Sequence, residues 1–184
     1  MVAAPRPAVF LDRDGVLNRA VVRDGRPYPP QDLGSVEILP GVPEAIRKLK
    51  AAGFVTVMVT NQPDVAKGTQ RREVVDTINT CVAETLDIDD VRVCWCLEGD
   101  DCDCYKPKPA MILEAAAELA LDLSKSYMVG DRWRDVGAGI NAGCMTIFID
   151  YKYDETGSFV PDWTVRSLAE ATDIIINRND CGEG

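Results

Sequence analysis

The sequence predicts an α/β fold: three layers, with a mostly parallel sheet covered by helices on both faces. Three observations point to it. Short apolar runs of strand length alternate with stretches of helical spacing along nearly the whole chain. Small polar clusters recur where the apolar runs end, as expected of a sheet that gathers ligands at the carboxyl ends of its strands. At 184 residues and 46% hydrophobic content, the chain is long enough for one proper core.

The elements follow in order. Pro7 to Leu11 reads as a short buried strand, bounded by proline and charge. The segment from Asn18 to Pro40 reads as a long irregular loop, because Pro27, Pro29 and Pro30 interrupt any regular element. It leaves from the first strand, so it is placed to wall a pocket. Pro43 to Gly53 is a helix with proline near its start and glycine after its end. Phe54 to Val59 is a strand that ends in Thr60-Asn61-Gln62-Pro63. Gln70 to Leu86 is a helix with Val74, Ile78, Val82 and Leu86 on one stripe, and Cys81 beside it as a core thiol. Val91 to Cys96 is a third strand and Pro109 to Leu121 a helix rich in Ala and Leu. Tyr127 to Val129 is a strand ending in Gly130-Asp131, and Trp133 to Ala142 is a helix closed by Gly143. Met145 to Ile149 is a strand ending at Asp150; Trp163 to Val165 and a helix over Leu168–Ile176 complete a single domain over residues 1–178. The last residues, 179–184, read as a disordered tail in which Cys181 is incidental.

Composition narrows the function classes. A net charge of −10 argues against a nucleic-acid backbone as partner, and leaves small anionic substrates open where a local cation reverses the field. No run has the length of a membrane span, and Met1 to Arg6 lacks the apolar core of a signal peptide, so the expected location is the cytoplasm. There is no histidine, so any general acid or base must be Asp, Glu, Lys, Tyr or Cys.

Asp12 and Asp14 stand two residues apart at the end of the first strand, and i and i+2 of an extended chain face one way. Both carboxylates should enter one pocket, with Gly15 where the backbone turns. Adjacent carboxylates repel unless a cation or a shared proton offsets them. Taken alone the pattern is equally an Asp-rich turn. Asp131 at another strand end adds a third carboxylate, and together they suit a hard cation such as Mg²⁺. Asp135 could bind through water or orient its loop; Lys106, Lys108 and Arg132 are the nearby cations. Such a set suits phosphoryl transfer. Cys94, Cys96, Cys102 and Cys104 lie within eleven residues and suit a tetrahedral Zn²⁺, with a pair of disulfides as the alternative.

Asp12-x-Asp14-Gly15-Val16, Thr60-Asn61, Lys106-Pro107 and Gly130-Asp131-x-x-x-Asp135 resemble the four ordered motifs of the haloacid dehalogenase superfamily of phosphohydrolases. The resemblance implies a Rossmann-like sheet. It implies that Asp12 is the nucleophile and that Asp14 protonates the leaving group and then activates water. Thr60 and the backbone of Asn61 would hold phosphoryl oxygens, Lys106 would neutralise them, and Mg²⁺ would be held by Asp12, the Asp14 carbonyl and Asp131. The cysteine loop, Asp12 to Asn18 and Asn61 to Gly68 resemble a subgroup of phosphatases acting on heptose bisphosphate or histidinol phosphate. Two positions depart from it: Cys96 stands where the subgroup usually has a His zinc ligand, and Tyr105 where it usually has a substrate-contacting Arg. The implied reaction is Mg²⁺-dependent release of the 7-phosphate from D-glycero-D-manno-heptose 1,7-bisphosphate. Histidinol phosphate is the alternative substrate, and a non-catalytic zinc-stabilised module the alternative class. No segment is long enough for a separate cap domain, so the pocket should be open; the protein is expected to be a monomer. Asn18, Thr60, Asn61, Gln62, Tyr105, Lys106 and Arg132 are the expected substrate contacts.

Overall fold

Strand β1 (Ala8–Leu11) sits in the middle of a six-stranded sheet in the computed structural model, which describes residues 4–155 and 157–181. A hairpin of β2 (Val21–Arg23) and β3 (Arg26–Tyr28) follows, then α1 (Val42–Ala51), β4 (Val55–Asn61), α2 (Pro63–Ala66), α3 (Arg72–Leu86) and β5 (Asp90–Cys94). The second half runs α4 (Ala110–Leu119), β6 (Tyr127–Gly130), α5 (Trp133–Ala142), β7 (Met145–Ile149), β8 (Trp163–Val165) and α6 (Leu168–Cys181). The sheet order is β5-β4-β1-β6-β7-β8 and every pairing in it is parallel. The chain builds outward from β1 through β4 to β5, then returns to the other flank of β1 with β6. That reversal opens a crevice at the carboxyl ends of β1 and β6.

The two-residue period of the strands divides the core. Val9 and Leu11 turn to the layer formed by Ile46 and Leu49 of α1, Ile78 and Val82 of α3, and Ala171 and Ile175 of α6. Ala8 and Phe10 turn to the other layer, with Met111, Ile112 and Ala115 of α4 and Ala138 of α5. Apolar burial on both faces explains why the strands read as nearly unbroken hydrophobic runs. The expected alternation, parallel sheet and two helical layers are all present.

Five expectations are corrected. The segment from Asn18 to Pro40 is not wholly irregular, since it contains the β2–β3 hairpin. Asp24 and Gly25 have φ of 50° and 73°, both positive as a two-residue type I′ turn demands. Pro27 pairs with Val22, one step from the turn-closing pair Arg23–Arg26. That step is the non-hydrogen-bonded one of an antiparallel ladder, so the missing N–H of proline costs nothing there. The third strand ends at Cys94, not Cys96, and α3 starts at Arg72, not Gln70. The loop after β4 holds a single helical turn, α2. Helix α6 continues to Cys181, so residues 179–181 are helical, while 182–184 lie outside the described residues. Among the described residues no helix is long and apolar enough to cross a membrane.

Gly139 sets how closely α5 lies on the sheet. A Cβ there would stand 2.6 Å from the Cβ of Met128 and 2.7 Å from the Cγ2 of Thr146. Alanine gains about 1 kcal/mol of helix propensity over glycine, whereas overpacking of a tight core costs about 1–3 kcal/mol. Gly139→Ala is therefore expected to lower the urea midpoint, with a net loss of up to about 2 kcal/mol. A raised midpoint would mean that the helix lifts off the sheet without penalty.

Candidate active site

The crevice at the β1–β6 reversal holds the expected carboxylates. The amide of Asp12 donates to the carbonyl of Val129 at 3.0 Å, so the β1–β6 pairing carries Asp12 to the edge of β6. Gly15 turns the chain away with φ of 92°, and a Cβ there would fall 1.9 Å from Oδ2 of Asp131. Only glycine lets the first loop pass this close to the third carboxylate.

Lys106 reaches this floor from a loop distant in sequence. Its ammonium donates to Oδ1 of Asp12 at 2.7 Å and to the carbonyl of Val59 at 2.9 Å, and lies 2.6 Å from Oδ1 of Asp135. All three side chains are buried. Burial opposes the charge on Lys106, but Asp12 and Asp135 more than offset it, and the ammonium is held above its ordinary pKa. Burial pushes Asp12 up to about 7 against the pull of Lys106, with Asp135 and Asp14 adding to the rise. Asp131 is raised as well, by burial first and then by Asp12 and Asp135. Its two oxygens are buried without a hydrogen-bond partner, although Tyr153 stands beside it. A buried carboxylate left without partner is costly, and carboxylate oxygens of Asp12, Asp131 and Asp135 lie within 4.8 Å of one another. The site therefore fits a small hard cation. Asp135 also caps α5 by accepting the amide of Arg132 at 3.0 Å, so it orients the Asp131 loop and Lys106 together.

Asp14 is fixed separately. Its Oδ1 accepts from Asn18 at 3.0 Å and from Nε of Arg13 at 3.1 Å. Its Oδ2 accepts from Nη2 of Arg13 at 2.8 Å and from Gln62 at 3.0 Å. Asn18 and Gln62 are buried and hold Asp14, with Gln62 also bonded to Thr60 at 2.9 Å. Thr60, Asn61, Tyr105, Lys106 and Arg132 do line the cleft over Asp12 and Asp14. The side chain of Asn61 also ties the Lys106 backbone, accepting its amide at 3.2 Å. Arg132 is bound to Glu155, with Nε donating at 3.0 Å.

Sequence reasoning missed Arg13 and Asn79. The guanidinium of Arg13 is fully buried and donates to Asn79 of α3 at 2.6 Å. Arginine between two acids reads as exposed, and nothing in the α3 stripe distinguishes Asn79. It also missed Arg134, which donates to the Tyr105 hydroxyl at 2.8 Å.

The four clustered cysteines converge at the end of β5. Cys94 and Cys104 bring their sulfurs together, with Cα atoms 5.5 Å apart. Cys96 and Cys102 are free thiols, with Cys104 Sγ at 3.6 Å from Cys96 and 3.9 Å from Cys102. One Sγ from each of the four lies within 4.8 Å of the rest. Elsewhere Cys144 is buried, with burial pushing its thiol up to about 12, and Cys81 is half-buried.

The chain is similar to known proteins in sequence and in fold. A phosphatase of Yersinia pestis named D-glycero-beta-D-manno-heptose-1,7-bisphosphate 7-phosphatase is 32% identical over 179 residues, covering 89% of this chain and 92% of that one. The Haemophilus influenzae protein of the same name is 38% identical over 146 residues, covering 73% of this chain and 76% of its own. A crystal structure of D,D-heptose 1,7-bisphosphate phosphatase from B. bronchiseptica, complexed with magnesium and phosphate, superposes with a TM-score of 0.76 at 26% identity. It covers 94% of this chain and 99% of that one. The sequence profile of the haloacid dehalogenase-like hydrolases matches residues 31–143. The chain belongs to the haloacid dehalogenase-like hydrolases, as its parallel sheet and the carboxylates at the β1–β6 crevice anticipate.

Proposed function

We propose that the chain is a Mg²⁺-dependent phosphatase that releases the 7-phosphate of a D-glycero-D-manno-heptose 1,7-bisphosphate through an aspartyl-phosphate on Asp12. The observation that carries the reading is the buried Lys106 ammonium on Asp12, beside an Asp131 carboxylate that has no partner of its own. The names of the relatives support the choice of sugar. Asp12, Asp131 and the backbone carbonyl of Asp14 would hold the Mg²⁺. Once bound, the metal screens the charge of the phosphate, so that an anionic carboxylate can approach phosphorus.

The chain's own groups do the rest. An oxygen of Asp12 forms the new P–O bond as the sugar oxygen leaves. The positive charge of Lys106 offsets that of the equatorial oxygens, and the Thr60 hydroxyl bonds to one of them, while their charge rises. Asp14 delivers a proton to the departing oxygen and then takes one from the water that cleaves the aspartyl-phosphate. Arg13, Asn18 and Gln62 keep its carboxylate oriented for both steps. The open cleft needs no closing domain.

We assign the cysteine loop to Zn²⁺. A Cys94–Cys104 disulfide would leave Cys96 and Cys102 without a role, whereas a metal uses all four sulfurs. A tetrahedron of Zn–S bonds has sulfur–sulfur edges of about 3.8 Å, close to the 3.6 and 3.9 Å seen from Cys104. Four thiolates leave the metal no open position, so its part is structural. Cys104 stands two residues before Lys106, so the loop fixes where that ammonium can reach. The assignment goes with the reducing cytoplasm and with a monomeric enzyme.

Three expectations follow from these assignments. A panel of heptose bisphosphates, hexose bisphosphates, histidinol phosphate and short nucleotides at fixed Mg²⁺ should give the highest kcat/KM for the heptose. Asp12→Asn should lower turnover of every compound by at least about 10³-fold, and activity within tenfold of wild type would end the mechanism. The second concerns pH. Raised carboxyls bind protons in the folded state that the unfolded chain has lost, so their contribution to stability falls as pH rises from about 4 to about 7. In metal-free protein this loss should be measurable by thermal melts. Mg²⁺ should raise Tm most at the upper end of that window and release protons on binding; a stabilisation independent of pH would refute the assignment of Asp12 and Asp131. Third, elemental analysis should give about one Zn²⁺ per chain, and Cys102→Ser should loosen the loop and lower turnover while helical content survives. Fully active protein without zinc would overturn that role.

A further inference from the structure

The cleft above Asp12 has a volume of about 350 Å³, the size that takes a sugar-phosphate-sized molecule. Five cationic side chains line it: Arg26, Lys67, Lys106, Arg132 and Arg134. Three of them are committed. Lys106 lies between Asp12 and Asp135, Lys67 bonds Asp64 at 3.0 Å, and Arg132 is bound through two nitrogens to Glu155.

Arg26 and Arg134 differ. Among the described residues no carboxylate lies within 4.0 Å of Arg26, which is exposed on β3 beside the tight Asp24–Gly25 turn. The turn and the short ladder hold it at the cleft even though it stands far from the core. Arg134 meets one carboxylate oxygen, on Glu98, at 3.2 Å, and Glu98 is 65% exposed. A bond to so exposed a partner is weak and easily exchanged for a stronger acceptor. The Nε of Arg134 is buried and has no partner. The guanidinium is nevertheless held in place, 5.5 Å from the centre of the Tyr105 ring and 5.3 Å from that of Trp133, with Nη1 on the Tyr105 hydroxyl. An arginine held by two aromatic neighbours and a hydroxyl keeps its planar fork ready at little entropic cost. Tyr105 directly precedes Lys106, so this fork is tied within one residue of the ammonium over Asp12.

We propose that Arg26 and Arg134 form a second anion subsite in this cleft, which takes the phosphate that is not hydrolysed and so selects bisphosphorylated sugars over monophosphates. The proposal rests on the phosphatase reading and adds the residues that recognise the far end of the substrate. A chain of net charge −10 repels a compound with two phosphates. The metal site and Lys106 answer for one phosphate, and the second needs its own cations. Arginine supplies these with two parallel hydrogen bonds per phosphate.

The test is competition against turnover of a chromogenic phosphate ester, with fructose 1,6-bisphosphate and fructose 6-phosphate as inhibitors. In wild type the bisphosphate should bind about tenfold or more tightly than the monophosphate. Arg26→Ala and Arg134→Ala should each bring that ratio down toward one, through loss of charge-assisted bonds to the second phosphate. Arg134→Lys, which keeps the charge without the fork, should fall between. Arg26 lies on an exposed hairpin, so its variant keeps the test open should Arg134→Ala not fold. A wild-type ratio near one, a ratio unchanged in both variants, or an equal loss for both inhibitors would overturn the subsite. A ratio that behaves as expected in an enzyme inert toward heptose bisphosphate would uphold the subsite and remove the heptose assignment.

Discussion

The contact of the Lys106 ammonium with Asp12 and Asp135 is the constraint on which the rest of the site depends. Three buried charges are expensive unless their geometry is good and their remaining bonds are made. Here the third donor position of the ammonium is filled by the Val59 carbonyl, and the second oxygen of Asp135 by the amide of Arg132. One contact therefore joins four parts of the chain: the end of β1, the end of β4, the loop before α4 and the start of α5. Moving any of them leaves a buried charge without its partner, a penalty of about 3–5 kcal/mol.

Beside this satisfied cluster lies an unsatisfied one. Asp131 has two buried oxygens and no hydrogen bond, and Asp12 is held up to about 7 by burial. The folded chain tolerates this strain because the β1–β6 pairing and the close passage of Gly15 leave the carboxylates no room to turn away. The same lack of freedom makes the pair ready for a cation, since a site already assembled loses little entropy when it binds. Stability and function thus pull in opposite directions at the floor of the cleft.

Around that floor, loops do the work that a separate closing domain would otherwise do. The β2–β3 hairpin brings Arg26 and Tyr28 to the rim, the turn of α2 brings Lys67, and the cysteine loop brings Glu98 and Tyr105. Each is stiffened by a local device: a type I′ turn, a single helical turn opened by Pro63, and four converging sulfurs. Stiff loops on a rigid sheet place charges reproducibly without adding to the core.

The sequence alone determined the alternation of strands and helices, the division of each strand between two cores, and the carboxylates, threonine and lysine of the cleft. These are legible because they are local: periodicity and the parity of Asp12 and Asp14 follow from backbone geometry within a few residues, and the family resemblance carries the order of the motifs. The β2–β3 hairpin was also within reach, since Asp24-Gly25 is a turn signal, but the run of prolines outweighed it. What only the tertiary structure decided is which polar side chains turn inward and upon what. Asn18 and Gln62 lie on Asp14 instead of the cleft, Arg13 is buried against Asn79 of a helix 66 residues away, and Arg134 donates to the Tyr105 hydroxyl. No local pattern encodes these contacts, because a polar side chain is buried only where a distant element supplies its hydrogen-bond partner. Which partner arrives is fixed by the sheet order that brings β4, β1 and β6 side by side.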